Sequence, residues 1–246
     1  VRIDLISIFP HAFAALEVSL LAKARERGLL DVRIWDLRDF TTDRHRQVDD
    51  VPYGGGPGMV MKPDPFFAAV DAITAAGAAA RPRILLTSPQ GRRFSQQVAV
   101  EFAREPWLVI LCGRYEGIDE RVRIGLGAEE ISIGDYVLNG GELAAMVIIE
   151  ATARLLPGVV GDEQSVEADS FTSGWLDYPH YTRPAEIRGL RVPQVLLSGH
   201  HDRIRQWRRR EQIRRTLASR PDLIEGTGLS DEDRALADTP WRDEEE

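Results

Sequence analysis

Apolar and polar positions alternate and repeat in a way that sorts the first two-thirds of the chain into short strands and helices. Residues 2–8 (Arg-Ile-Asp-Leu-Ile-Ser-Ile) predict a strand, ended by Pro10. Phe13, Leu16, Leu20 and Ala24 then recur at helical spacing, and Gly28 predicts the stop of that helix. Val32–Trp35 predicts a second strand. Asp64-Pro65 predicts a helix start, a capping carboxylate before a first-turn proline, with Phe66, Ala69, Val70 and Ile73 inside and a stop at Gly77. Ile84–Leu86 and Leu108–Leu111 predict two further strands. Between them Ser95 predicts the cap of a helix carrying Val98, Ala99 and Phe102. Strands alternating with helices imply an α/β domain with a largely parallel sheet. Ligand sites in such sheets lie at loops beyond the strand C-termini. Thr87-Ser88-Pro89 and Gly113–Asp119 occupy that place.

Residues 141–156 are apolar on nearly every side, which predicts a buried helix ending at Pro157-Gly158. Arg154 falls inside it, where a charge is costly without a partner or an anion. Residues 158–175 are rich in Gly, Ser, Asp and Glu and predict a linker or loop. A smaller, mostly helical segment follows, and an acidic tail closes the chain.

Composition changes the picture little. The chain has 246 residues, 43% hydrophobic and 28% charged, enough for a sizeable core. The net charge of −8 argues against a nucleic-acid partner only as a whole-chain average. Residues 203–220 hold eight arginines against one acid, Glu211, a local net of +7. Such a patch suits phosphates, although a solvated helix carries the same pattern. The apolar residues Ile204, Trp207, Ile213 and Leu217 form no clean stripe there. Cys112 is the one cysteine, so no intramolecular disulfide forms, and its apolar neighbours predict a buried thiol. No apolar run approaches a membrane span, and no leader precedes the first strand, so a cytoplasmic protein with no membrane partner is expected.

Two segments carry candidate chemistry. Tyr53–Gly58 packs four glycines and a proline into residues 54–58, either a loop with positive φ or backbone approaching a ligand. The missing Gly-Lys-Ser/Thr excludes a P-loop. Ile131–Glu142 joins a β-type run to a glycine turn and a helix, offering backbone groups to the polar edge of an adenosine or amino acid. Asp169 and Arg154 have the chemistry of a base and a charge stabiliser, but residue types alone leave a loop carboxylate and a structural arginine equally open.

Read together, these segments resemble the bacterial tRNA (guanine-37-N(1))-methyltransferases, the TrmD type of the SPOUT class. The resemblance rests on Phe9-Pro10, Asp43-Arg-His, Val48-Asp-Asp50, Tyr53–Met59, Ser88–Gly91, Cys112–Glu120, Ser132–Leu138, Gly140–Glu142, Pro179–Pro184, Val195–Gly199 and Arg220-Pro221. It implies a SPOUT-type α/β domain with a C-terminal trefoil knot over residues 1–160. A linker over 161–175 and a helical tRNA-binding domain with an acidic tail over 176–246 would follow. It implies S-adenosylmethionine held by Ser88, Pro89, Gly113, Tyr115, Glu116, Ile133, Gly134, Asp135, Tyr136, Val137, Leu138, Gly140 and Gly141. The same family is associated with Mg²⁺, for which the sequence places no ligands. It implies a homodimer with active sites at the interface, tRNA with guanosine at position 37 as substrate, and maintenance of the reading frame.

On this reading Asp169 takes the proton from the guanine ring nitrogen and Arg154 stabilises charge on the carbonyl oxygen. One such donor is worth about 3–4 kcal/mol. Asp50, Arg114, His180 and Arg183 would guide the flipped guanosine and its neighbour. Ala144 departs from the family, which often has proline there, and implies a small change at the helix start. Competing expectations are another SPOUT RNA methyltransferase and a non-catalytic RNA-binding module. The latter would break one of the 113–116 or 132–138 loops, and both strings are intact.

Overall fold

The computed structural model describes residues 1–76, 81–161, 169–172, 174–225 and 228–238. These divide into two compact units, 1–163 and 164–246. The expected helix stop at Gly77, most of the 161–175 linker and the acidic tail lie outside the described residues.

The first unit is built on a five-stranded sheet in the order β2-β1-β6-β5-β7. Its strands are β1 (Arg2–Ser7), β2 (Asp31–Asp36), β5 (Arg83–Arg93), β6 (Trp107–Cys112) and β7 (Glu129–Ser132). Every pairing in it is parallel. Parallel strands need crossovers, and these put helices on both faces and bury the strands on both sides. β6 (Trp-Leu-Val-Ile-Leu-Cys) is buried along its whole length. Its side chains alternate between two cores. Leu108, Ile110 and Cys112 join Ile3 and Leu5 of β1 beneath α1 (Ser19–Glu26), α3 (Gln96–Ala103) and α5 (Glu142–Ala153). Trp107, Val109 and Leu111 join Ile6 beneath α2 (Pro63–Ala75) and α4 (Glu120–Leu126). The mixed α/β architecture with a parallel central sheet therefore follows the alternation of apolar segments.

One buried carboxylate ties three strands together. Asp4 of β1 accepts from the indole N–H of Trp35 on β2 at 2.7 Å and of Trp107 on β6 at 2.6 Å. It also accepts from Arg2 Nε at 2.7 Å. A fully buried charge is tolerated here because every partner is supplied.

Several element boundaries differ from the sequence pattern. Phe13 and Leu16 lie in a 3-10 helix, Pro10–Glu17, which extended backbone at Val18 separates from α1. Their three-residue spacing matches the tighter helix and puts both in the core. α2 begins at Pro63, one residue before Asp64, and no side chain caps it. Asp64 instead lies in the first turn, where its charge suits the helix dipole. β5 runs to Arg93, with an irregularity between Thr87 and Arg92. Ser95 does cap α3, accepting from the Val98 N–H at 3.4 Å. A two-residue ladder of β3 (Asp49–Asp50) and β4 (Val60–Met61) flanks the glycine-rich loop; its runs are too short to read from the pattern.

α5 ends at Ala153 and leaves Arg154 as its half-buried C-cap, so this arginine is not inside a buried helix. The helix is not buried all round either. Leu143 is 58% and Val147 46% exposed, on the face opposite the core residues Ala145, Ile148 and Ile149.

The second unit contains a hairpin of β8 (Glu186–Ile187) and β9 (Leu190–Arg191) and the helices α6 (Gln194–Leu197), α7 (His201–Ser219), α8 (Asp222–Glu225) and α9 (Asp231–Asp238). Its buried apolar residues include Val195, Trp207, Ile213 and Ile224. The buried positions of α7 are Trp207, Arg210, Ile213 and Thr216, a stripe at three-residue steps. Two of the four are polar, which hides the stripe from an apolar pattern.

Candidate cofactor cleft and its surroundings

A cleft of about 410 Å³ opens at the irregularity of β5 after Thr87 and at the C-terminal ends of β6 and β7. Three loops form it. The first, 88–91, interrupts β5: Thr87 and Arg92 both register with Ile131 of β7, so the residues between them loop out. Gly91 is required there, since a Cβ would lie 2.3 Å from the Glu130 carbonyl carbon. The second loop follows β6. It is tied to the glycine-rich segment by Glu116 N–H to Met59 O at 3.0 Å and Met61 N–H to Gly117 O at 2.9 Å. Tyr115 takes a left-handed conformation at φ 59°. The third loop follows β7 and is closed by Tyr136 N–H to Gly134 O at 3.0 Å.

The second and third loops are locked together at the start of α5. Gly141 N–H donates to Gly113 O at 2.9 Å. A Cβ on Gly141 would lie 1.9 Å from Thr87 Oγ1 and 3.0 Å from Cys112 Cα, so only glycine fits. Arg114 donates to Glu142 Oε2 at 2.9 Å and to Asn139 O at 3.3 Å. Its guanidinium lies 4.6 Å from the centroid of the Phe9 ring. Glu142 is buried, and its other oxygen accepts from Ser7 Oγ at 2.6 Å. One carboxylate thus joins the end of β1, the loop after β6 and the first turn of α5. Burial and the nearby Glu142 push the Cys112 thiol well above its ordinary range, so it stays protonated and inert.

The expected cofactor residues Ser88, Pro89, Gly113, Tyr115, Glu116, Ile133, Gly134, Tyr136, Val137, Leu138, Gly140 and Gly141 all border this cleft. Asp135 does not; its side chain is 92% exposed and 4.0 Å from Arg93. Arg114 borders the cleft as well, with its Nε committed to Glu142. Ala144, in the first turn of α5, also lines it. The pattern of residue types had not singled out Glu142 and Ser7. Their signal was a buried acid in the first turn of an apolar helix, which needs a partner from elsewhere in the fold.

The lining fits S-adenosylmethionine chemically. Leu86, Ile131, Ile133 and Leu138 offer apolar surface for a flat heterocycle. Glu116 offers negative charge to a sulfonium or an ammonium, while Glu120 and Glu130, also in the lining, pair with Arg123. The Glu120 carboxyl is held below its usual range by a hydrogen bond from Arg123. Gly58 abuts Glu116, where a Cβ would lie 2.3 Å from the carboxylate oxygen, so the glycine-rich loop approaches the cleft wall.

The remaining expected residues lie outside this cleft. Asp50 is exposed on β3 and its carboxylate accepts from the Val51 N–H at 2.8 Å. Arg154 caps α5. Asp169 belongs to the second unit, half-buried, with its carbonyl accepting from the Thr172 N–H at 3.3 Å. His180 pairs with Asp177 at 2.8 Å, and Arg183 is exposed. The basic run over 203–220 is partly neutralised by acids outside it and by Glu211 within it. Arg209 pairs with Asp233 of α9 at 2.7 Å, Arg220 with Asp222 at 2.6 Å, Arg210 with Glu211 at 2.7 Å, and Arg205 pairs with Asp202. Among the described residues no group of three or more His, Cys, Asp or Glu is placed to hold a metal ion. No helix among them is long and apolar enough to cross a membrane.

Comparison with known proteins points in one direction. A family model described as tRNA (Guanine-1)-methyltransferase TrmD matches residues 1–226. The tRNA (guanine-N(1)-)-methyltransferase of Moorella thermoacetica is 52% identical over all of this chain and 98% of its own length. That of Frankia alni is 56% identical over 96% of this chain and 90% of its own. That of Geobacillus kaustophilus is 53% identical over 95% of each.

Proposed function

The chain belongs to the tRNA (guanine-1)-methyltransferase TrmD family, and on that premise we propose that it methylates N(1) of guanosine 37 in tRNA, next to the anticodon, using S-adenosylmethionine. Maintenance of the reading frame is the cellular role. The observation that carries the reading is the cleft after β5, β6 and β7, whose apolar and acidic lining suits a cationic adenosine derivative. S-adenosylmethionine supplies an electrophilic methyl group there. Ser88 and Pro89 would border its adenine, with Gly113, Tyr115 and Glu116 on one wall of the cleft and Ile133, Gly134, Tyr136–Leu138, Gly140 and Gly141 on the other.

The chain path supports a trefoil knot, the rare exception to unthreaded chains. The segment after β7 reaches α5 by passing close against Thr87, where β5 loops out, and Cys112, the last residue of β6. The exposed Leu143 and Val147 on α5 support a homodimer whose active sites span the interface. In it Asp169 of one protomer serves the cleft of its partner. The second unit holds the anticodon stem-loop, and the enzyme works in the cytoplasm.

The guanine ring nitrogen carries a proton and is a poor nucleophile while it does. Asp169 accepts that proton as the nitrogen–methyl bond forms and the sulfur–methyl bond breaks. The electron pair released by deprotonation spreads onto the guanine carbonyl oxygen, which Arg154 stabilises. Asp50, Arg114, His180 and Arg183 guide the flipped guanosine and its neighbour, and flipping the base out of the loop stack costs a few kcal/mol. Loop bases are accessible, so RNA is suited to this step.

The test uses labelled S-adenosylmethionine and two tRNA transcripts that differ only at position 37, guanosine against adenosine. Base-methylated guanosine from the first alone is the expected result, identified by mass spectrometry. Equal labelling of both, or of neither, overturns the reading and points to another SPOUT substrate. Asp169→Ala is expected to lower turnover by about 10²–10⁴-fold while S-adenosylmethionine still binds. Full activity in that variant removes Asp169 as the base.

A further inference from the structure

The second unit holds a cavity of about 170 Å³ between the 178–181 segment and α7. This is below the roughly 300 Å³ at which pockets for drug-sized ligands begin, and suits a single flat ring system. Three of its walls are aromatic: Tyr178, Tyr181 and Trp207. Trp207 is 5% exposed and forms the floor, and Tyr181 stands at the rim, 48% exposed, with ring centroids 6.3 Å apart. Tyr178 packs against two polar groups, the His180 ring at 4.7 Å and the Arg208 guanidinium at 4.8 Å.

Charge at the rim is positive. Arg205, Arg209 and Arg210 on the same helix are paired with acids. Arg208 pairs with no carboxylate among the described residues. The nearby acid, Asp177, is already engaged by His180 at 2.8 Å and by the Tyr178 N–H at 2.7 Å. A ligand that matches has a flat π face and an attached anion. Aromatic platforms beside arginine are how proteins hold unpaired bases with their phosphates.

We propose that this pocket is a nucleobase subsite. It takes one unpaired base of the tRNA anticodon loop, distinct from the methylated guanosine. The base stacks on Tyr181 above Trp207, and its flanking phosphate meets Arg208. The proposal rests on tRNA being the substrate. It deepens that reading by giving the second unit a contact that grips the loop while the reacting base occupies the cleft.

The test is an abasic scan. An anticodon stem-loop RNA is made with each loop base removed in turn. Binding is then measured for the full-length wild type, Tyr181→Ala, Tyr181→Phe and Arg208→Gln. Removal of one particular base is expected to weaken wild-type binding about ten-fold. Tyr181→Ala is expected to lose a similar factor on intact RNA and to lose nothing further at that abasic position. Tyr181→Phe keeps the ring and keeps the wild-type pattern. Arg208→Gln is expected to reduce the slope of log affinity against log salt by about one. Thermal unfolding and S-adenosylmethionine binding of each variant, unchanged, exclude a folding defect. Wild-type affinity in Tyr181→Ala, or equal abasic losses in variant and wild type at every position, overturns the subsite and leaves the methyltransferase reading standing. Absence of binding and of methyl transfer in the wild type overturns both.

Discussion

The cleft of the first unit and the basic helix of the second use charge in opposite ways. In the cleft one buried carboxylate, Glu142, is shared by Ser7 and Arg114 and fixes two loops against the start of α5. On α7 most arginines sit at the surface, and acids placed by the fold cancel several of them. A buried pair sets geometry because an unpaired partner is expensive. An exposed pair sets little, since solvent and salt screen it. The charge that α7 offers at the surface is therefore the residual charge, not the +7 read along the chain.

The comparison can be broken most forcefully at Glu142. Glu142→Ala strands Arg114 and Ser7 and is expected to cost about 3–5 kcal/mol of stability. Glu142→Gln keeps one acceptor and costs less. Denaturant unfolding of both variants checks this, and wild-type stability in Glu142→Ala would show that the pair does not organise the cleft.

Gly141→Ala comes next. Its Cβ has no room beside Thr87 Oγ1, so overpacking of about 1–3 kcal/mol is expected. Because the shift falls on the cleft wall, S-adenosylmethionine affinity measured by calorimetry is expected to drop more than the stability does. Unchanged affinity would mean that the loops adjust without the cleft changing.

The smallest effect is expected on α7. A hydrogen bond from Arg209 lowers the Asp233 carboxyl below its usual value. A carboxyl lowered in the folded state contributes stability above its unfolded value, about pH 4, and loses it as pH falls through the folded value. The pair is partly exposed, so the contribution is under about 1 kcal/mol after screening. Asp233→Asn is expected to flatten the loss of thermal stability on acidification below about pH 4. An unaltered acid profile would assign that loss to other carboxyls.

How much of this was legible along the chain depends on the range of the interactions. β1, β2, β6 and α3 follow from local apolar spacing and a serine cap, because those signals lie within one element. The glycines at 91 and 141 stand out as parts of specific strings, yet their necessity appears only when strands distant in sequence approach them. The single helix expected over 13–24 splits at Val18, because the side chains beneath it accept a three-residue repeat. Arg154 looked like an internal charge because apolar residues continue past it, whereas the helix ends one residue earlier. The stripe on α7 is invisible in an apolar pattern because Arg210 and Thr216 occupy two of its four buried positions.

By itself the sequence determined the α/β class, the alternation of the main strands and helices of the first unit, the strings that place the chain in its family, and the loops that border the cleft. These depend on local periodicity, turn chemistry and residue identity. Only the tertiary structure decided which carboxylate meets which arginine, which face of α5 stays open, and where a small aromatic pocket forms beneath Tyr181. Those outcomes depend on residues brought together across tens to more than a hundred positions, as Ser7 and Glu142 are, and no local pattern encodes such a meeting.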